Sequence, residues 1–395
     1  MSCMGILRLG VMCVVILTGY TDRVLGNMTV IPGLLLNERY NSNIYNSVDN
    51  EEADIITTCT PGIKLLEKTE RLDVDLSTHA LCYFYKTNDQ ENTIDQNYSG
   101  QVSYNLHQRL RVSSLVMHQI DSRIDREIDE TGLIFDTSKR RLTKYSGGFK
   151  YIATEKATAQ MIGSYADYKF DSDKYVDSWN AGLDASMIID ISELLESTTD
   201  RTRFGYHRYD YGQSIIDNYY LMVGFGHNIS EVVTFSLDFG GRYTHYTDTS
   251  ELDTGETVES KTGNQGWVGD MSVSYRQQFW TGQLNLSRNI ENASGRTNAT
   301  ERSSINGSLN YRFSENISCG LSTSYYLNQT NNPLENVTDT EKTWQAAGSL
   351  IYTYSKDVNL KIGYAYSRTK NEADQTSTRN VIDFQIYCQI PLMES

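Results

Sequence analysis

From residue 29 onward, apolar and polar side chains alternate with a period of two, and this constrains the chain more than any other feature. Trp280, Gly282, Leu284 and Leu286 share one face while Thr281, Gln283, Asn285 and Ser287 share the other. The same holds for Val233, Phe235, Leu237, Phe239 and Tyr243 against Thr234, Ser236, Asp238 and Arg242, and for Val358, Leu360, Ile362, Tyr364 and Tyr366 against Asn359, Lys361, Gly363 and Ser367. Side chains of a strand point alternately to opposite sheet faces, so period two reads as strand.

A strand, a short turn, a second strand and a longer acidic or Asn-rich loop form a unit that recurs about nine times, giving about eighteen strands, an even number as bacterial barrels require. A soluble sandwich also alternates. Two features favour the barrel: the segments are longer than the usual globular strand, and tyrosines gather near their ends. Tyr40, Tyr45, Tyr83, Tyr85, Tyr168, Tyr209, Tyr211, Tyr243, Tyr246, Tyr325 and Tyr326 are read as girdle residues, because a ring with a polar tip prefers the membrane interface. The expected fold is all-β: a transmembrane antiparallel up-and-down barrel over residues 27–395.

Composition agrees. Tyr 28 and Gly 28 against Pro 4, with only 39% hydrophobic residues, is a strand-and-turn composition. No apolar run past residue 26 reaches the roughly 20 residues that a spanning helix needs, whereas a barrel strand needs only about 9–11 with one apolar face. A mean hydropathy of -0.48 therefore excludes helical membrane proteins but not barrels. Residues 1–26, with Arg8 ahead of an apolar stretch from Leu9 to Leu17, read as a signal peptide.

Short links such as Glu67 to Glu70, Asn228 to Ser230 and Phe313 to Glu315 alternate with longer ones at 41–53, 86–95, 123–138, 247–263, 291–298, 329–340 and 370–377. Barrels keep short turns in the periplasm and long loops outside, which places both termini in the periplasm of a Gram-negative envelope. The net charge of -15 is concentrated in loops such as Asp49 to Glu52 and excludes a basic nucleic-acid surface. A solvated outer surface accounts for it, with divalent cations or lipopolysaccharide as the alternative.

The stretch Ile31 to Tyr45, followed by Asp54-Ile55-Ile56-Thr57 and Pro61 to Leu65, resembles the opening hairpin of outer-membrane β-barrel porins of the beta-barrel porin 2 type. Proline suits a gap in the strand ladder, and the Asn-rich turn suits left-handed backbone. The resemblance implies an outer-membrane channel, with membrane lipid, lipopolysaccharide and periplasmic polysaccharide-export components as partners and a saccharide as cargo. One departure is that Phe384, Ile386, Cys388 and Ile390 are followed by Pro391 to Ser395 rather than by a terminal aromatic residue, which points either to an internal assembly signal or to an unusual route of assembly.

With the polar set of each strand facing inward, the candidate lumen lining is Lys64, Asp73, Asp75, His79, His107, Asp184, Asp238, Arg242, Asp270, Arg276, Arg312 and Lys361. Both signs are present, which suits neutral or mildly charged saccharides, held by hydroxyl, amide and tyrosine contacts, better than a strongly anionic polymer. Ordinary lumen solvation explains the same set. No nucleophile elbow, zinc helix or phosphate loop appears, and His207 with Asp210 and His245 near Asp248 read as rim residues. The chain is thus read as non-enzymatic, without cofactor or metal. Cys59, Cys82, Cys319 and Cys388 read as small lipid-facing residues. Residues 124–135 are an external loop or an inward constriction. A general solute porin and a structural or adhesive barrel remain as alternatives to the saccharide conduit.

Overall fold

The structure is a computed structural model that describes residues 28–122, 138–251, 257–292, 298–332, 337–371 and 373–389. The expected signal segment, residues 124–135 and the stretch Pro391 to Ser395 fall outside these residues. Eighteen strands run in chain order: β1 Met28–Asn41, β2 Asp54–Lys68, β3 Leu72–Tyr85, β4 Thr93–His107, β5 Leu110–Asp121, β6 Arg140–Ile152, β7 Ala157–Phe170, β8 Ser178–Asp190 and β9 Thr198–Asp210. They continue with β10 Ser214–Asn228, β11 Val233–Glu251, β12 Thr257–Arg276, β13 Trp280–Glu291, β14 Thr300–Arg312, β15 Ile317–Asn332, β16 Val337–Ser355, β17 Val358–Lys370 and β18 Thr376–Gln389.

Each strand pairs antiparallel with its neighbour in sequence, and β1 pairs with β18 from Gly33↔Gln389 to Asn41↔Val381, so the sheet closes on itself. The fold is a closed 18-stranded antiparallel barrel with no α-helix among the described residues. Closure leaves no sheet edge at the seam, which is the condition for a sheet to reside in lipid.

The alternation sorts the two faces as the sequence predicts. On β10, Leu221 and Val223 are 56% and 60% exposed, whereas Tyr220 and Met222 between and beside them are 8% and 4% exposed. Exposed Phe239, Leu309, Leu321, Ile362 and Phe384 continue the apolar outer belt. Outward rings form rows from strand to strand: Tyr145 lies 6.5 Å from Tyr165, and Tyr165 lies 6.0 Å from Trp179. Tyr206 and Tyr219 approach to 4.9 Å, and Phe239 and Trp267 to 5.9 Å.

Tyr40, Tyr243 and Tyr325 belong to this exposed face. Tyr83, Tyr168, Tyr209, Tyr211 and Tyr246, read above as girdle residues, are instead buried on the inside. Their positions in sequence resemble those of girdle tyrosines, but a shift of one residue reverses the face of a strand side chain.

Four of the short turns share one device. Thr69, Thr154, Ser230 and Ser314 each accept, through the side-chain oxygen, the backbone N–H groups two and three residues on. A hydroxyl at this position satisfies donors that a hairpin leaves free. All four turns lie at the end that also holds the start of β1 and the end of β18. At the opposite end the strands are longer than expected: β11, β12, β15 and β16 take up most of 247–263 and 329–340, which the sequence reads as loops.

The β1–β2 loop is ordered by asparagines. Asn46 and Asn50 adopt φ of 50° and 60°, the left-handed conformation that Asn tolerates. Asn43 donates to Ser47 O at 2.8 Å and to Thr378 O of β18 at 3.1 Å, pulling the loop over the rim. Ile44 then packs against the inner-wall residues Ile56 and Tyr83.

Candidate functional site

The twelve predicted lining residues all occupy the register positions that face inward, opposite to the exposed apolar set, and the structure divides them into two groups with four others near the short-turn rim. On β2 and β3, Lys64 Nζ lies 2.9 Å from Asp75, and Asp73 lies 3.5 Å from Arg111 of β5. His79 stands opposite Gly62, where a Cβ would meet its ring at 2.4 Å. His107 sits at the β4 terminus beside the register shift at Asn105/His107. At the same rim Arg312 donates to Gln278 O and lies over Phe279, while Arg276 and Lys361 stand near the turn ends of β12 and β17.

The second group is a continuous belt of paired charges on β8 to β14. Asp238, buried on β11, accepts from Arg201 Nε at 2.8 Å and from Arg203 Nη2 at 2.7 Å, and Arg203 Nη2 also reaches Asp270 of β12 at 2.7 Å. On β8, Asp184 accepts from the Tyr220 hydroxyl and lies 3.0 Å from His207 Nε2. His207 stacks on Tyr220 with ring centroids 6.0 Å apart. Tyr220 lies flat against the wall because Gly205, its direct partner, has no side chain: a Cβ there would meet the ring at 2.1 Å. A glycine opposite an aromatic ring is a recurrent way to seat the ring on a sheet.

The third component crosses the interior. β12 pairs with β11 over its whole length but with β13 only from Gly269↔Arg288 to Arg276↔Thr281. Beyond that point the β13–β14 end leaves the wall and leans inward. Ile290, buried, packs with Tyr209, Tyr211, Ile216, Tyr246 and Ala299.

The Tyr209 hydroxyl donates to Ile290 O at 3.0 Å, Tyr211 to Asn292 Oδ1 at 2.9 Å, and Ser214 to Asn298 Oδ1 at 3.0 Å. Arg242 Nη2 lies 2.7 Å from Glu301 Oε2. Arg288, which also pairs with Glu301, sits 4.4 Å over the Trp267 ring at the point where the two strands part. Arg302 pairs with Glu291 and donates through Nε to Asn328 of β15 at 2.9 Å.

Asp184, Asp238, Arg242 and Asp270 were expected from sequence; Asp238 and Asp270 share Arg203, whereas Asp184 meets His207 and Tyr220 and Arg242 meets Glu301. Arg201, Arg203, Tyr220 and Glu301 were missed: Thr198 to Asp210 is polar on both faces, so parity alone does not select one. His207 does not pair with Asp210, which accepts from Gly212 N instead. Adjacent numbers alternate faces, so the inward His207 meets the inward Asp184 across the ladder. Likewise His245 contacts Thr247, on its own face, rather than Asp248. Among the described residues no group of three or more His, Cys, Asp or Glu is arranged to hold a metal ion.

Fold and interior together define a closed barrel with an apolar outer belt and a polar, charge-paired lumen. No protein-family model matches the sequence, and no curated protein matches it. Solved structures with a similar course of chain include the siderophore receptor PirA of Pseudomonas aeruginosa, at 10% identity and TM-score 0.48, covering 94% of this chain and 81% of that one. OccK2 (OpdF) of Pseudomonas aeruginosa is 8% identical with TM-score 0.47 over 93% of this chain and 98% of its own. OccAB1 of Acinetobacter baumannii is 9% identical with TM-score 0.47 over the same shares, 93% and 98%. None of these comparisons supports a link to exopolysaccharide.

Proposed function

We propose that the chain is an outer-membrane channel for small polar solutes, with its long-loop mouth narrowed by the inward β13–β14 end. The observation that carries this reading is the belt from Asp184 to Arg302, a polar lining inside a sheet whose outer face is apolar. Its arginines are bound to carboxylates of the wall and of the inward β13–β14 end, so the lining attracts neither sign of ion strongly. In this reading membrane lipid and lipopolysaccharide contact the outer belt, and the short-turn end with both strand termini faces the periplasm.

A saccharide-polymer conduit is the second reading, carried by the resemblance of the first hairpin. The inward-leaning tip favours small solutes over a polymer. Single-channel recording in a planar lipid bilayer tests both. Steady ohmic conductance that neutral oligosaccharides leave unblocked supports the solute channel; concentration-dependent block supports the saccharide conduit. A silent bilayer with correctly folded protein overturns both.

A further inference from the structure

We propose that Cys59 and Cys82 form a disulfide in the exported protein. The two are direct Cα partners on β2 and β3, and both are thiols in this structure. Directly opposed residues of an antiparallel pair have Cα atoms about 4.5–5.5 Å apart, with both side chains on one face. A disulfide spans Cα separations of about 4.4–6.8 Å, so the register already places the pair within reach.

Most opposed pairs in a regular ladder lack the freedom to bring their Cβ atoms to disulfide distance, but this pair sits at a defect. The pairing stops at Cys59↔Cys82 and resumes only at Gly62↔His79. Pro61, lacking an N–H, falls in the gap and cannot bridge to β3. A disulfide at its edge joins the strands covalently where the ladder does not.

By register both side chains take the outward face, where Cys82 is buried and Cys59 half-buried among their neighbours. Cys59 is also opposed by Leu36 of β1, and Cys82 by Ile94 of β4. Cys319 and Cys388 have Leu or other non-cysteine partners across both of their ladders. The register therefore singles out one pairing.

The chemistry is thiol–disulfide exchange. A thiolate of the pair attacks the disulfide of a dithiol–disulfide oxidoreductase, and the second thiol displaces the enzyme from the mixed disulfide. Two thiols become one disulfide, and the donor's disulfide is reduced to its dithiol. Formation precedes insertion, since lipid then covers this face. The inference rests on the reading that the chain passes through an oxidising compartment.

The test counts thiols in the mature chain, residues 27–395, which keeps four of the six cysteines of the sequence: protein recovered from outer membranes is quenched in acid, denatured and tagged with a mass-shifting maleimide, with and without prior reduction. The barrel is expected to take two tags without reduction and four after it, with the Cys59 and Cys82 peptides linked in the unreduced digest. Cys82→Ser is expected to take three. Four tags without reduction, or a link that involves Cys319 or Cys388, would overturn the proposal. Conductance in the same preparation reports the channel reading independently, because neither thiol faces the lumen.

Discussion

Arg242 Nη2 on β11 and Glu301 Oε2 on β14 lie 2.7 Å apart with both side chains almost wholly buried, although β12 and β13 separate their strands in the sheet. The contact exists because the β13–β14 end abandons its wall position. Removing one partner of a buried pair leaves an uncompensated charge, at a cost of about 3–5 kcal/mol. Arg242→Ala is therefore expected to release the tip and raise single-channel conductance. Unchanged conductance in folded protein would show that the tip does not limit flow.

Asp238 holds Arg201 and Arg203 at once. Asp238→Asn removes the shared acceptor charge and leaves the inner wall more cationic. Reversal potential under a potassium chloride gradient is expected to shift toward anion selectivity relative to the unaltered chain. A shift toward cations would contradict a lumen position for this cluster.

Gly205 is the seat for the Tyr220 ring, which would lie 2.1 Å from an added Cβ. Gly205→Val must displace the ring and its hydrogen bond to Asp184. Overpacking of this kind costs about 1–3 kcal/mol. The variant should lose its compact, unheated form on a gel at lower temperature. Gly226→Val, where the nearest contact is the Thr199 hydroxyl at 3.1 Å, is the milder control.

An arginine facing lipid near the bilayer midplane costs about 2–4 kcal/mol in barrels. Val223, the most exposed large apolar residue along β10, should therefore tolerate Val223→Arg poorly, with reduced refolding yield into lipid vesicles. Gln101→Arg, on an inward-facing position of β4 in register with Asp75, should refold normally. Equal yields would place the apolar face away from lipid.

Tyr45, in the β1–β2 loop, donates to Glu91 Oε1 at 3.2 Å. Burial, with the Glu91 carboxylate second, raises its phenol pKa above 10.0. A folded pKa above the unfolded one means that the protonated phenol stabilises loop docking below the ordinary tyrosine value. That contribution is lost as pH rises through the folded value. The phenolate difference spectrum between the unaltered chain and Tyr45→Phe should thus appear at higher pH than that of an exposed tyrosine. A coincident titration would exclude the docked loop.

The barrel was legible because period two survives along whole strands such as β11 and β17, and because hydroxyl and asparagine residues mark their turns. Asp238 and Arg242 fell on the inward face for the same reason. The inward tip was not legible. Ile290 and Glu301 occupy outward positions by alternation, and only the loss of β12–β13 pairing beyond Gly269↔Arg288 turns them into the interior. Parity also cannot tell which inward residues meet, so the Asp184–His207 contact waited on the register between β8 and β9. Tyrosines near strand ends were assigned to the girdle by type, whereas Tyr209 and Tyr246 anchor the tip.

The pairing of β1 with β18 has a consequence for assembly. The two segments that close the ring are the most distant among the described strands, so the contact of highest sequence separation forms between β1 and β18. Until β18 is in place, β1 presents a row of unpaired N–H and C=O groups able to recruit any other strand. Non-local closure of this kind is slow. The nascent chain must therefore be shielded from its own copies through nearly the whole of its synthesis and transit, and a truncation that removes only β18 should favour oligomers over pores.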